Sequence, residues 1–518
     1  MGIALFCARC VEFLNTFSQK LISRARHDAG GQRNNDFAVT GQSQAKSLHL
    51  QKQGTLQSWV KPPVWSAGVL LMALFPFALS ILGGDTLPNP LRSLDPSGTL
   101  STYSTAGGIN RSNPFFQKLG TNGRTCGTCH VPSDAMSVTP ADLQSRFNLT
   151  NGTDPIFRPN DGSNCPSADV TTFLARQSAY SLLLNKGLIR VSIGVNGTEH
   201  FTITGIQDPY SCPETTATQP ALYRRPLPAT NIRFLSAVMW DGRETVKNSS
   251  GTIDLNASLA KQATDATLGH AQATTAPTPR QLAQIVGLET ALYTAQSQDE
   301  NAGSLTGQGA SGGPIYLSVQ PFYIGINDPL GGNPTGALFN PNAFRLYNTW
   351  TTLASQPKRQ AVARGQALFN SLPIAITGVG GLNDALGIQV INGTCTTCHD
   401  SPNVGNHSLP VPLNIGVSAY PPVSALDISG LPIYTVQCND DGSTVQVTDL
   451  GRAMITGQCA DIGKVKGPVL RGLAGRPPYF HNGSAATLED VVEFYNERFT
   501  LNLTSQQKAD LVAFLQTL

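Results

Sequence analysis

Two hexapeptides carry the chemistry of this chain: Thr125-Cys126-Gly127-Thr128-Cys129-His130 and Thr394-Cys395-Thr396-Thr397-Cys398-His399. Each contains C-x-x-C-H, the attachment signature of c-type haem. Two thiols on one helical turn can each add to a haem vinyl group, and the His that follows can give its imidazole to the iron. Composition alone would yield ~0.003 such motifs in a chain of this size, so two of them are a specific signal. They predict two covalently bound haems c with His130 and His399 as proximal ligands. Zinc would need four ligands, usually as two close pairs, and neither motif has a second pair nearby, although His407 follows His399. A thioredoxin-type redox pair would need a βαβ setting, whereas the flanking pattern is helical.

The elements around the second motif read as a complete small cytochrome c domain. A helix over 358–370 puts Val362, Gly365 and Phe369 on one face, and Thr504/Gln507 form a capping box for a last helix with Leu511, Val512, Leu515 and Leu518 apolar. The two should cross at Gly365, where no side chain keeps the backbones apart. Thr487 is the N-cap of a further helix whose stripe is Leu488, Val491, Val492 and Tyr495, so Tyr495 should point inward. Ahead of the first motif, Asn113 to Gly120 reads as a short helix with Pro at its start and Gly at its stop. Between the motifs come strand-like pieces at Ile189 to Ile193 and Phe201 to Ile206, and loops over 267–279 and 301–313.

The fold expected is mainly α: two cytochrome c-like haem domains with long loops and minor β elaboration, behind an N-terminal apolar export or anchor segment. The divisions are a polar extension over 1–63, a signal or anchor over 64–84, a first haem domain with an insertion over 100–345, and a second over 346–518. The uncharged run from Val64 to Leu82 follows Lys61 and suits either a cleaved signal or a single membrane anchor. Either one makes the rest periplasmic or otherwise exported. With 50 Gly, 35 Pro and only 13% charged residues the chain is loop-rich, and a net charge of +2 without a dense basic run argues against nucleic acid. Cys165, Cys212, Cys438 and Cys459 remain after the haem motifs, and an oxidising compartment would join them in one of three connectivities or leave a pair free. Cys7 and Cys10 lie in the leader.

Two further blocks accompany the motifs: Met239-Trp240-Asp241-Gly242-Arg243, and Pro478-Tyr479-Phe480-His481-Asn482-Gly483 followed by Thr487-Leu488-Glu489-Asp490-Val491-Val492. In this order they make the chain resemble the bacterial dihaem cytochrome c peroxidase family, which includes MauG. The resemblance implies a peroxide-dependent oxidoreductase with a reactive N-terminal haem, an electron-passing C-terminal haem and Trp240 between them. Its partners would be hydrogen peroxide or another small oxidant, and a small redox protein or organic electron donor. The alternatives are a non-catalytic dihaem electron carrier and a dioxygen-using dihaem oxygenase. Arg243, Arg471 and Arg476 are candidates to pair haem propionates, since guanidinium matches carboxylate bidentately. Where the family places a catalytic Glu after the Trp, this chain offers Gln262, Asp265, His270 and Gln272. His270 is the candidate among them, as distal acid/base, as sixth ligand of the first haem, or as a linker residue. Arg225 stands at the family's calcium-holding Asn, which puts calcium in question. Position 495 is where electron-accepting peroxidases place an axial Met and MauG places Tyr. Tyr495 is therefore expected as distal ligand of the second haem, with Met454 and His481 as alternatives.

Overall fold

Several helices in this chain begin where a side chain takes up orphan backbone donors. Thr139 accepts from Asp142 N ahead of the Pro140–Thr150 helix, and Asp254 accepts from Ala257 N ahead of Leu255–Gly269. Full capping boxes open three more helices: Thr278/Gln281 for Pro279–Ala291, Thr487/Asp490 for Leu488–Arg498, and Thr504/Gln507 for Ser505–Gln516. The computed structural model describes residues 85–518. The expected extension, the apolar run over 64–82 and Cys7 and Cys10 lie outside the described residues. Among the described residues no helix is long and apolar enough to cross a membrane.

The crossing expected in the C-terminal part is present. Pro357–Ser371 packs on Ser505–Gln516, burying Val362, Phe369, Leu511, Val512 and Leu515. A Cβ at Gly365 would lie 1.9 Å from the Asp510 carbonyl oxygen, so only Gly permits this approach. Phe344, Phe369 and Phe514 meet beside it with ring centroids 5.3–5.6 Å apart. By contrast, the helix expected over 113–120 shrinks to the single 3-10 turn Pro114–Phe116.

Several small antiparallel sheets stand beside the helices. Ile189–Ser192 pairs with Ala221–Arg224. Phe201–Gln207 pairs with Ile433–Cys438, which pairs in turn with Thr444–Val447. That sheet joins residues from both sides of the division at 345/346 inferred from sequence. Leu91–Asp95, Gly98–Ser104 and Leu292–Asp299 form a further sheet with Gly303–Ser304 at its edge. The described residues belong to one compact unit. Disulfides join Cys165 to Cys212 and Cys438 to Cys459.

Candidate haem cavities

Each C-x-x-C-H lies on a short turn fixed by its own threonines. Thr125 N donates to Thr128 Oγ1 at 2.9 Å, and Thr394 N donates to Thr397 Oγ1 at 2.9 Å. The recurring T-C-x-T-C-H is thus a capping box wrapped around the attachment motif. Both histidines are oriented in the same way. Nδ1 of His130 is 3.0 Å from Met136 O, and Nδ1 of His399 is 3.0 Å from Gly405 O. Donation to a carbonyl fixes the tautomer and leaves Nε2 as the lone-pair nitrogen. Phe115 lies 6.0 Å from the His130 ring and Phe369 lies 5.8 Å from that of His399. Burial lowers both imidazole pKa values, that of His399 to about 4, so each is neutral and ready to ligate.

Cys126, Cys129 and His130 line one cavity, and Cys395, Cys398 and His399 line a second. The residues fit a covalent haem at each. Four free thiols stand on the walls, all partly accessible. Arg476, Lys466 and His407 face the second cavity. Arg476 Nε and His407 Nε2 have no hydrogen-bond partner, and burial followed by the Arg476 charge pushes Lys466 down to about 7. Buried cationic and donor groups without an acceptor call for an anion, which propionates would provide.

In the first cavity, the Leu255–Gly269 helix turns Leu259, Gln262, Ala263, Ala266 and Thr267 inward, a stripe whose small residues leave space. At its end His270 also lines the cavity. Its Nδ1 is 2.5 Å from Asp161 Oδ2, and Asp161 Oδ1 accepts from Arg124 Nη1 at 2.5 Å. Burial acts to raise the Asp161 pKa, but hydrogen bonds and charge from His270 and Arg124 outweigh it and hold the carboxyl low. The other residues of that stretch divide. Gln262 lines the cavity, Asp265 pairs with Lys261 at 2.9 Å outside it, and Gln272 accepts from Asn122 at 3.3 Å.

Trp240 lines both cavities. Its Nε1 donates to Arg225 O at 2.8 Å, and its ring meets His481 edge-on at 6.0 Å. The W-D-G-R block is held by charge. Asp241, fully buried, accepts from Arg224 Nη1 at 2.5 Å and Arg243 Nη1 at 2.9 Å, and Arg224 also pairs with Asp449. Gly242 sits at φ +79°, where an L side chain is disfavoured. Arg243 reaches the first cavity wall with its guanidinium already committed to Asp241. Arg471 lines neither cavity. It is buried, gives Nη1 to Asn403 O at 2.7 Å, and leaves Nε and Nη2 without partners. At the expected calcium position, the Arg225 guanidinium is hydrogen-bonded to backbone carbonyls.

Tyr495 lines the second cavity, as its stripe requires. The alternatives do not compete well. Met454 is packed with Phe201, Tyr434 and Val436 and lines neither cavity, because the sheet around 433–447 encloses it. His481 is on the wall of the second cavity, but its Nε2 is 3.1 Å from Ser418 Oγ and 3.7 Å from Asp449. Sequence reading missed Asp161, Arg124 and Glu289, and met His407 only as a possible metal ligand. Glu289 lines the first cavity with Oε2 unpartnered, and burial pushes it up to about 8. An acidic residue in the buried stripe Ile285, Val286, Leu288, Glu289 was the available signal.

No family model matches the chain. The cytochrome-c peroxidases IdrP2 and IdrP1 of Denitromonas iodatirespirans are 35% and 31% identical to it over 141 and 144 residues, in each case 24% of this chain and 36% of the relative. The cytochrome c551 peroxidase of Nitrosomonas europaea is 44% identical over 70 residues, 13% of this chain and 21% of its own. The chain therefore spans about a third of the length of the first curated relatives it matches. A crystal structure of a MauG-like protein associated with microbial copper homeostasis aligns over 78% of this chain and 87% of that one, at 16% identity and a TM-score of 0.34. The curated names agree with what the haem motifs and the two marker blocks imply, and over the matched segments the chain is similar to bacterial cytochrome c peroxidases.

Proposed function

We propose that this chain is an exported dihaem c-type oxidoreductase that uses peroxide at its first cavity and passes electrons at its second. The observation that carries the reading is Trp240, one indole in the walls of two cavities that each contain a C-x-x-C-H motif. Haem, when bound, supplies the redox chemistry at both sites. The chain's own groups do the rest. His270, with Nδ1 committed to Asp161, has Nε2 free to accept a proton from hydrogen peroxide and return it to the leaving oxygen. Arg124 and Asp161 hold that ring in place. Trp240 offers an aromatic side chain common to both sites, fixed by its bond to Arg225 O. Arg476, Lys466 and His407 would hold propionates in the second cavity, with Tyr495 as distal ligand.

The two disulfides accord with an oxidising compartment. Two cytochrome c-like domains, over 100–345 and 346–518, remain our reading of the architecture. The apolar run over 64–82 would supply the signal or anchor. A phenolate at the second site would favour ferric and higher states, which suits oxidation of a protein or organic substrate over simple peroxide removal.

The test is stoichiometry and spin state of the purified protein. A pyridine haemochrome assay after acid-acetone extraction should give two haems per chain with none in the extract. Electron paramagnetic resonance should show one high-spin ferric haem that responds to peroxide. One haem per chain would remove the proposal, and two low-spin, peroxide-inert haems would leave an electron carrier.

A further inference from the structure

Arg225 follows the Ala221–Arg224 strand and is 5% exposed. Its guanidinium meets an unusual set of partners. Nη2 donates to Val138 O at 2.7 Å, Pro477 O at 3.2 Å and Arg476 O at 3.3 Å, while Nη1 donates to Lys186 O at 3.2 Å and Gly187 O at 3.5 Å. Five backbone carbonyls from three separate segments thus converge on one cation. Gly187 makes room for it, since a Cβ there would lie 1.9 Å from Nη1. No carboxylate is among these hydrogen-bond partners. Asp134 acts only through its charge, and the neighbouring Arg476 opposes the charge of Arg225.

The main chain of the same residue ties the surroundings together. Its N donates to His481 O at 2.7 Å and its O accepts from Trp240 Nε1 at 2.8 Å, and the residue lines both cavities. Converging carbonyl oxygens are what a hard divalent cation seeks, and calcium takes six to eight oxygens at about 2.3–2.6 Å. A guanidinium satisfies the same dipoles with its N–H donors at hydrogen-bond distances. Burial and the nearby Arg476 push Arg225 down to about 10, so it keeps its charge at neutral pH.

We propose that the Arg225 guanidinium is the built-in cation of this carbonyl cage, that the native chain holds no calcium there, and that Arg225→Asn converts the cage into a divalent-cation site. The inference does not depend on what the haems catalyse. Its test uses the haem-loaded chain, purified with calcium and then dialysed. Wild type should retain no stoichiometric calcium by elemental analysis, and a chelator should leave its thermal midpoint and haem spectra unchanged. Arg225→Asn should be less stable without calcium, bind one calcium ion in a calorimetric titration with calcium chloride, and recover stability as it does. One calcium per chain in wild type, or a folded Asn variant indifferent to calcium, would overturn the proposal. If the Asn variant folds in neither buffer, Arg225→Lys is read in its place. Lys keeps the charge with fewer donors, so it should hold no calcium and melt several degrees lower. A Lys variant as stable as wild type would show that the carbonyl cage does not use the guanidinium fork.

Discussion

Two tyrosines face the second cavity, and their hydroxyls differ. That of Tyr479 donates to Leu473 O at 3.0 Å, whereas that of Tyr495 makes no hydrogen bond among the described residues. Burial raises the Tyr495 pKa, so a free phenol here stays neutral. A haem iron held in this cavity by His399 would be offered the Tyr495 oxygen as an anionic ligand. Tyr495→Phe should therefore change the electron paramagnetic resonance of the second haem and raise its potential, while Met454→Ala changes neither. A Phe variant with the wild-type ligand field would contradict this. Legibility at this scale depended on sequence distance. The attachment residues and Tyr495 were readable because spacing and helical period are local. Asp161 was not, since it meets His270 from 109 positions away. Arg471, expected against a propionate, lines neither cavity and gives its Nη1 to Asn403 O.

Among the elements, the helix pair around Gly365 shows what periodicity can and cannot reveal. The apolar faces and the capping box at Thr504/Gln507 were both readable, and the absence of a side chain at residue 365 marked the crossing. Gly365→Ala would drive a methyl into Asp510 O. Because backbone cannot yield as a side chain does, the loss should be about 3 kcal/mol or more, read from the denaturation midpoint. A midpoint within error of wild type would mean that the helices separate more freely than this packing allows. Strand pairing was less legible. Gly98–Ser104 lies against Leu292–Asp299, and Phe201–Gln207 against Ile433–Cys438. Such partners are fixed by tertiary packing, so short strands far apart in sequence gave no local cue to each other.

Over the whole molecule, the arrangement concentrates on the wall between the cavities. Trp240, Arg225, Pro226 and Pro228 line both. The Arg224 guanidinium joins Asp241 beside the Trp to Asp449 from the C-terminal half, and such fully buried pairs fix geometry more than they add stability. The central claim is that this wall couples two haems through Trp240. Stopped-flow spectroscopy of the fully loaded ferric protein mixed with hydrogen peroxide tests it most directly, with wild type and Trp240→Phe side by side. Starting spectra of the two should match, and peroxide should perturb both haems together in wild type, whereas in the variant the response of the second haem should lag at least tenfold behind the first, about 1.4 kcal/mol of added barrier. Equal rates in the two proteins, or no response to peroxide in wild type, would contradict the account.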